Sequence, residues 1–213
     1  MLSPLQVQVA EIIAGLDEAT DFALAGGAAL IVRGDVQRRT RDLDFFGLTP
    51  AAVDRLVPAV ERALREAGFA VQHIQENPGF ARLVVESGDD RTEVDLAADA
   101  RLFPAEPGRP APTLSGEELA VDKVLAVFGR AEARDFIDLM AVEGRYGLGR
   151  LCELAVEKDR GFTPAMFAGM LGQFGRLRRQ EFEIDDTGYE RLTREVERWR
   201  EHAIGLDRQP ELE

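Results

Sequence analysis

The chain has 213 residues, enough for one large domain or two small ones, and its 45% hydrophobic and 31% charged residues describe an ordinary globular protein. A net charge of −13 argues against sequence-independent wrapping of nucleic acid, which needs a basic surface, and the longest apolar run, residues 22–32, is too short to span a membrane. The single cysteine, Cys152, cannot form an internal disulfide, two histidines are too few for a structural zinc site, and the start MLSPLQ predicts no signal peptide, so a cytoplasmic location is expected.

Ser3 and Pro4 form an N-cap and N1 pair for a first helix, with Leu5, Val9, Ile12, Ile13 and Leu16 at helical spacing. DFALA reads as a short buried strand broken by Gly26 and Gly27, from which a short helix, GAALIVRG, starts. Residues 33–41 carry four arginines and one acid, a local positive patch in an acidic chain. RDLDFFG reads as a strand. Thr49 and Pro50 then cap a helix with Val53, Leu56, Val57, Val60 and Leu64 on one face and Gly68 at its end. FAVQHIQ, FARLVVE and RTEVDLA are three more strands, the last two joined by the hairpin signal SGDD.

Residues 103–113 hold four prolines and no periodicity, which predicts a linker or surface loop. A capping box from Ser115 to Glu118 opens a helix to about Phe128, and further helices are predicted at 131–146, 148–158, 163–179 and 187–204. The expected organisation is an α/β half, residues 1–113, followed by a helical half, residues 114–213.

Asp42 and Asp44 lie two apart on a strand, so both carboxylates point one way and Leu43 points into the core. They are either solvated acids on a half-exposed strand or a pair with a cation between them. Mg²⁺ is typically held by one or two carboxylates plus substrate phosphates. The Gly26–Gly27 pair between a strand and a helix is either a tight turn or a place where backbone N–H groups meet phosphate. Asp95 shares the polar face of its strand with Glu93. It can complete a metal site or act as general base, and Glu93 could substitute for it.

The chain has only two lysines, Lys123 and Lys158. Lys123 lies beside the apolar stripe of Leu119 and Val127, where a lysine must snorkel or meet an anion. Arg134 and Asp138 are spaced for an intrahelical ion pair, and Asp135, one residue from Arg134, is expected to face a different way from Asp138. Arg176, Arg178 and Arg179 either contact an RNA acceptor or lie on a solvated face, with Glu181 and Glu183 following.

GGAAL, RRTRDLDFF and ELAVDKVLAVFGRAEARDFIDLM together resemble the AbiEii/AbiGii toxin family of the nucleotidyltransferase superfamily, type IV toxin–antitoxin-like, over about half the chain. The resemblance implies an α/β (α+β) nucleotidyltransferase fold, with a small mixed β-sheet flanked by helices and a helical half completing the active site. It implies use of Mg²⁺ with an NTP as co-substrate, a nearby-encoded antitoxin partner, no membrane, and an acceptor that in relatives can be the tRNA 3′ end. By position, it assigns Gly27 to the phosphate-binding glycine motif, and Gly26, Arg38 and Thr40 are expected to bind the nucleotide with it. Asp42 and Asp44 fall to the metal pair, beside which Asp95 is expected as the third catalytic and metal-binding acid; Lys123 falls to the family lysine, expected in catalysis and nucleotide binding, and Asp135 and Asp138 to a downstream acidic motif, expected in nucleotide binding and catalysis respectively. The glycine motif often continues with Ser or Thr; Ala28 here lacks that hydroxyl donor. The function expected is NTP-dependent nucleotide transfer by a toxin. The alternatives are a small-molecule, aminoglycoside-type transferase, which the negative charge suits, and a catalytically inactive nucleotide-binding module, which Ala28 favours.

Overall fold

The structure is a computed structural model that describes residues 1–207. It divides into two compact units, Met1–Ser115 and the part from Gly116 onward.

The first unit is built on a five-stranded mixed sheet in the order β1-β2-β5-β4-β3. Its elements in chain order are α1 (Pro4–Ala14), β1 (Ala23–Ala25), α2 (Gly26–Val32), β2 (Asp42–Gly47), α3 (Pro50–Glu66), β3 (Ala70–Asn77), β4 (Phe80–Ser87) and β5 (Asp90–Ala98). Among these five strands β2 and β5 pair parallel, and the other neighbours run antiparallel. Alternation along these strands produces two faces. Leu43, Phe45, Leu83, Val85, Val94 and Leu96 lie on one and are buried. Asp42, Asp44, Arg82, Glu93 and Asp95 lie on the other, in adjacent register.

Local rules account for the helices that frame this sheet. Ser3 caps α1 through a capping box with Gln6. Thr49 accepts from the Ala52 N–H at the start of α3, whose predicted stripe is buried along its whole length. At its end Gly68 takes φ +90°, and the N–H groups of Gly68 and Phe69 return to the carbonyls of Arg65 and Leu64. That is a Schellman closure, which a side chain at Gly68 would strain.

The proline-rich stretch 103–113 is more than the linker expected from its composition. The Leu24 N–H donates to the Pro112 carbonyl, and the Leu114 N–H donates back to Leu24, so the stretch lies along β1. Ala111, Thr113 and Leu114 are buried there. Prolines remove donors but leave carbonyls, and the few N–H groups left are enough for two isolated bridges.

The second unit is helical: α4 (Gly116–Gly129), α5 (Ala133–Tyr146), α6 (Leu148–Lys158), α7 (Pro164–Leu171) and α8 (Asp186–Asp207). The single helix predicted over 163–179 does not form. After Leu171 the chain tightens into 3₁₀ turns at Gly172–Arg176 and Arg179–Glu181. Gly169, Gly172 and Gly175 fall within this stretch, and glycine lowers helix stability by about 1 kcal/mol per residue against alanine. The broken segment is instead held by aromatic packing. Phe174 meets Phe136, Phe182 and Tyr189 at ring-centre distances of 5.4, 5.1 and 5.6 Å. Among the described residues no helix is long and apolar enough to cross a membrane.

Candidate active site

The parallel pairing of β2 and β5 sets Asp42 beside Glu93 and Asp44 beside Asp95. Four carboxylates thus share one patch of the sheet face. The loop before β2 is pinned from below by Gln6, whose side-chain amide donates to the Thr40 carbonyl and the Thr92 hydroxyl at 3.1 and 3.3 Å. The Thr92 hydroxyl in turn donates to the Arg41 carbonyl at 3.1 Å. The loop so held turns the Thr40 hydroxyl onto Asp42 Oδ1, to which it donates.

The two glycines make room for side chains of this chain. Gly26 takes φ +57°, and a Cβ there would stand 2.0 Å from Asp44 Oδ2. A Cβ on Gly27 would stand 2.6 Å from an Arg38 guanidinium nitrogen. The carboxylate and the guanidinium therefore lie directly against the start of α2. Ala28, the next residue, is fully buried.

Arg82 on β4 belongs to the same patch, and reading by motif misses it. Its Nε and one terminal nitrogen donate to the two Asp95 oxygens at 2.7 and 2.6 Å, a two-pronged pair. Glu93 lies 3.9 Å away. The hydrogen bonds to Asp95 and the charges of Asp95, Glu93 and Asp44 raise the Arg82 pKa above its ordinary value, outweighing the opposing effect of burial. A sequence signal for Arg82 exists: counting outward from the two-residue turn of SGDD puts residue 82 opposite residue 95.

The other expected residues are brought together within the helical unit. Lys123 on α4 is 6% exposed, and its Nζ lies 2.9 Å from Asp138 Oδ2 and 3.8 Å from Asp135 Oδ1, both on α5 and both fully buried. Asp135 also accepts two hydrogen bonds from Arg130, at 2.8 and 2.9 Å. The expectation that the two acids face different ways is therefore wrong. Positions three apart are neighbours on a helix, and both carboxylates meet one ammonium. Arg134 reaches Glu132 at 3.0 Å. Lys158 repeats the pattern: its Nζ donates to Glu118 at 2.6 Å and to Asp122, with the side chain 3% exposed. Both lysines of an arginine-rich chain are thus buried beside two acids each. A compact ammonium fits between paired carboxylates on neighbouring helices where a broad guanidinium would need more room.

Residues 11–211 match the family described as Nucleotidyl transferase AbiEii toxin, Type IV TA system. The chain belongs to this family. Two solved structures from Helicobacter pylori share its fold. JHP933 is 17% identical, covers 95% of this chain and 93% of its own, and superposes with a TM-score of 0.56. A protein described as a candidate nucleotidyltransferase is also 17% identical, covers 96% of each chain and has a TM-score of 0.57. No curated protein matches the chain.

Within an AbiEii fold the Asp42–Asp44 pair suits a hard divalent cation. Both are half-buried acids on one face, and Asp44 is seated in the space that Gly26 leaves open. Among the described residues no three His, Cys, Asp or Glu side chains converge as a ready metal cluster. Asp95, the expected third acid, has both oxygens on Arg82. The arginines proposed for RNA contact near the C-terminus are engaged locally. Arg176 bonds Gln173, Arg178 bonds Glu181, and Arg179 bonds two carbonyls and Asp186 and lies over the Tyr189 ring. The Arg178 contacts also hold the exposed Glu181 carboxyl below its ordinary pKa.

Proposed function

We propose that this AbiEii-family nucleotidyltransferase is a metal-dependent toxin that transfers a nucleotide from an NTP to an RNA end, such as the tRNA 3′ end, in the cytoplasm. The observation that carries the reading is one constellation: Asp42 and Asp44 side by side on the sheet face, with Asp44 and Arg38 laid against the two glycines. Asp42 and Asp44 would hold Mg²⁺, which supplies charge stabilisation at the phosphoryl group and lowers the pKa of a bound hydroxyl. Thr40 orients Asp42 by its hydrogen bond. The bare backbone at Gly26 and Gly27 lets a triphosphate come close, and Arg38 offsets its charge. Asp95 stands as a third acid, poised to take the acceptor proton once its oxygens are free. In the helical unit, Lys123 is a cation fixed by Asp138, with a nucleotide phosphate as its proposed further anion, and Asp135 lies 3.8 Å from the same ammonium.

Net charge −13 favours an acceptor recognised at its end, by shape and a few groups near the carboxylates, over broad backbone binding. The test is incubation with each labelled NTP, Mg²⁺ and total RNA, for the native chain and for Asp42→Asn/Asp44→Asn. Labelled RNA with the native chain and none with the variant is expected. Unchanged Mg²⁺–NTP affinity in a folded double variant would refute the assignment of the metal to this pair.

A further inference from the structure

The patch around Asp44 carries an internal conflict that Arg82 resolves. Asp42, Asp44, Glu93 and Asp95 sit in adjacent register on two strands, and Asp95 is almost wholly buried. Acids this close repel each other unless a cation lies between them. Arg82 is the cation seated against Asp95. It faces Asp95 directly across the β4–β5 pair, and both Asp95 oxygens are occupied by its fork. Yet Arg82 is not locked in place. Its side chain is 39% exposed, against 12% for Asp95, and besides Asp95, Glu93 and the charge of Asp44 it meets the Phe80 ring, 5.8 Å from the ring centre. A guanidinium fork binds phosphate with the same two-pronged geometry that it uses for carboxylate. Phosphate can therefore replace Asp95 as its partner without a net loss of paired charge.

We infer that Arg82 is a positioning residue that withholds Asp95 from the Asp42–Asp44 pair until the polyphosphate of a nucleotide draws its guanidinium away. This rests on the metal-dependent nucleotidyltransferase reading of the same patch. Once Arg82 leaves, Asp95 loses the cation that its two oxygens share and stands with three other carboxylates, so the patch gains capacity for a divalent ion. Nucleotide binding thus adds Asp95 to the carboxylates of the patch that can turn to a divalent ion. Divalent-ion binding and nucleotide binding become coupled through one side chain.

The experiment is Mn²⁺ titration by calorimetry and by electron paramagnetic resonance without nucleotide, on the full chain. Arg82→Gln removes the withholding cation, and Mn²⁺ should bind at least about tenfold more tightly, the low end of the effect of residues that hold metal ligands in place. Arg82→Lys keeps the charge opposite Asp95 but loses the fork, and should show a smaller gain in the same direction. Adding Asp95→Asn to Arg82→Gln should abolish the gain. Circular dichroism establishes that each variant is folded, and Arg82→Lys is the variant least able to disturb the sheet. Native-like Mn²⁺ affinity in both Arg82 variants would overturn the proposal. So would a gain that survives Asp95→Asn, because loss of positive charge alone would then explain it. If Asp42→Asn/Asp44→Asn abolishes Mn²⁺–nucleotide binding while the Arg82 variants behave as the native chain, only the withholding role fails. If that double variant binds as the native chain does, the metal reading fails with it.

Discussion

Gly26→Ala separates a glycine required by its backbone from one required by what it touches. The new Cβ would stand 2.0 Å from Asp44 Oδ2 and 2.9 Å from Asp44 Cγ. Ordinary contact begins at 3.4 Å, so the carboxylate oxygen must retreat by about 1.4 Å. The backbone at φ +57° adds about 1–2 kcal/mol for a residue with a Cβ. The atom in the way is the end of a side chain, so the fold should survive at about that cost. The carboxylate should not keep its place, and a displacement of this size in a reacting site costs on the order of 100-fold in rate. Gly88→Ala is the matched control. Gly88 has φ +59° with nothing within 4 Å of its Cβ position, so it carries the same backbone cost without the contact. Urea denaturation should show similar losses for the two variants. Mg²⁺–NTP calorimetry and labelled-nucleotide transfer should show a large defect for Gly26→Ala alone. Equal transfer by the two variants would refute the reasoning, since Asp44 would then tolerate displacement or lie outside the site.

Two further outcomes follow from the helical unit. Lys123→Met removes the ammonium 2.9 Å from the fully buried Asp138 and should lower stability by about 3–5 kcal/mol in urea denaturation, with Asp138→Asn in the same chain restoring part of it, while an unshifted midpoint would mean that the pair contributes nothing. Burial pushes the Cys152 thiol from an ordinary 9.0 up to about 12, so it should resist iodoacetamide at pH 8 until the chain unfolds. The raised value means that the folded state keeps its proton where the unfolded chain has lost it. This contribution to stability is whole below pH 9 and falls by up to about 1.4 kcal/mol per pH unit towards pH 12, which alkaline urea titrations of the native chain and Cys152→Ala would detect.

Much of this protein follows from local pattern, because a strand alternates with period two and a helix repeats every 3.6 residues whatever surrounds them. The five strands, the stripe of α3 and the shared direction of Asp42 and Asp44 are consequences of that kind. Asp135 and Asp138 belong there too: their spacing of three already places both acids on one side of α5. The family also follows, since its wording of glycines, D-x-D and Lys-to-Asp spacing is linear. Tertiary structure decided which side chain meets which. Gly26 and Gly27 announce close approach, but only the packing of α2 beside β2 reveals Asp44 and Arg38 as what approaches. The proline-rich stretch reads as a linker until the Pro112 carbonyl and the Leu114 N–H meet Leu24 on β1. Lys123 could snorkel or meet an anion, and the choice waited on α5 lying alongside α4 with two carboxylates turned inward. Arg82 sits thirteen residues from Asp95, and the pairing of β4 with β5 brings the two together. A charge finds its partner through space, and sequence spacing reports that distance only within one helix, one strand or one tight turn.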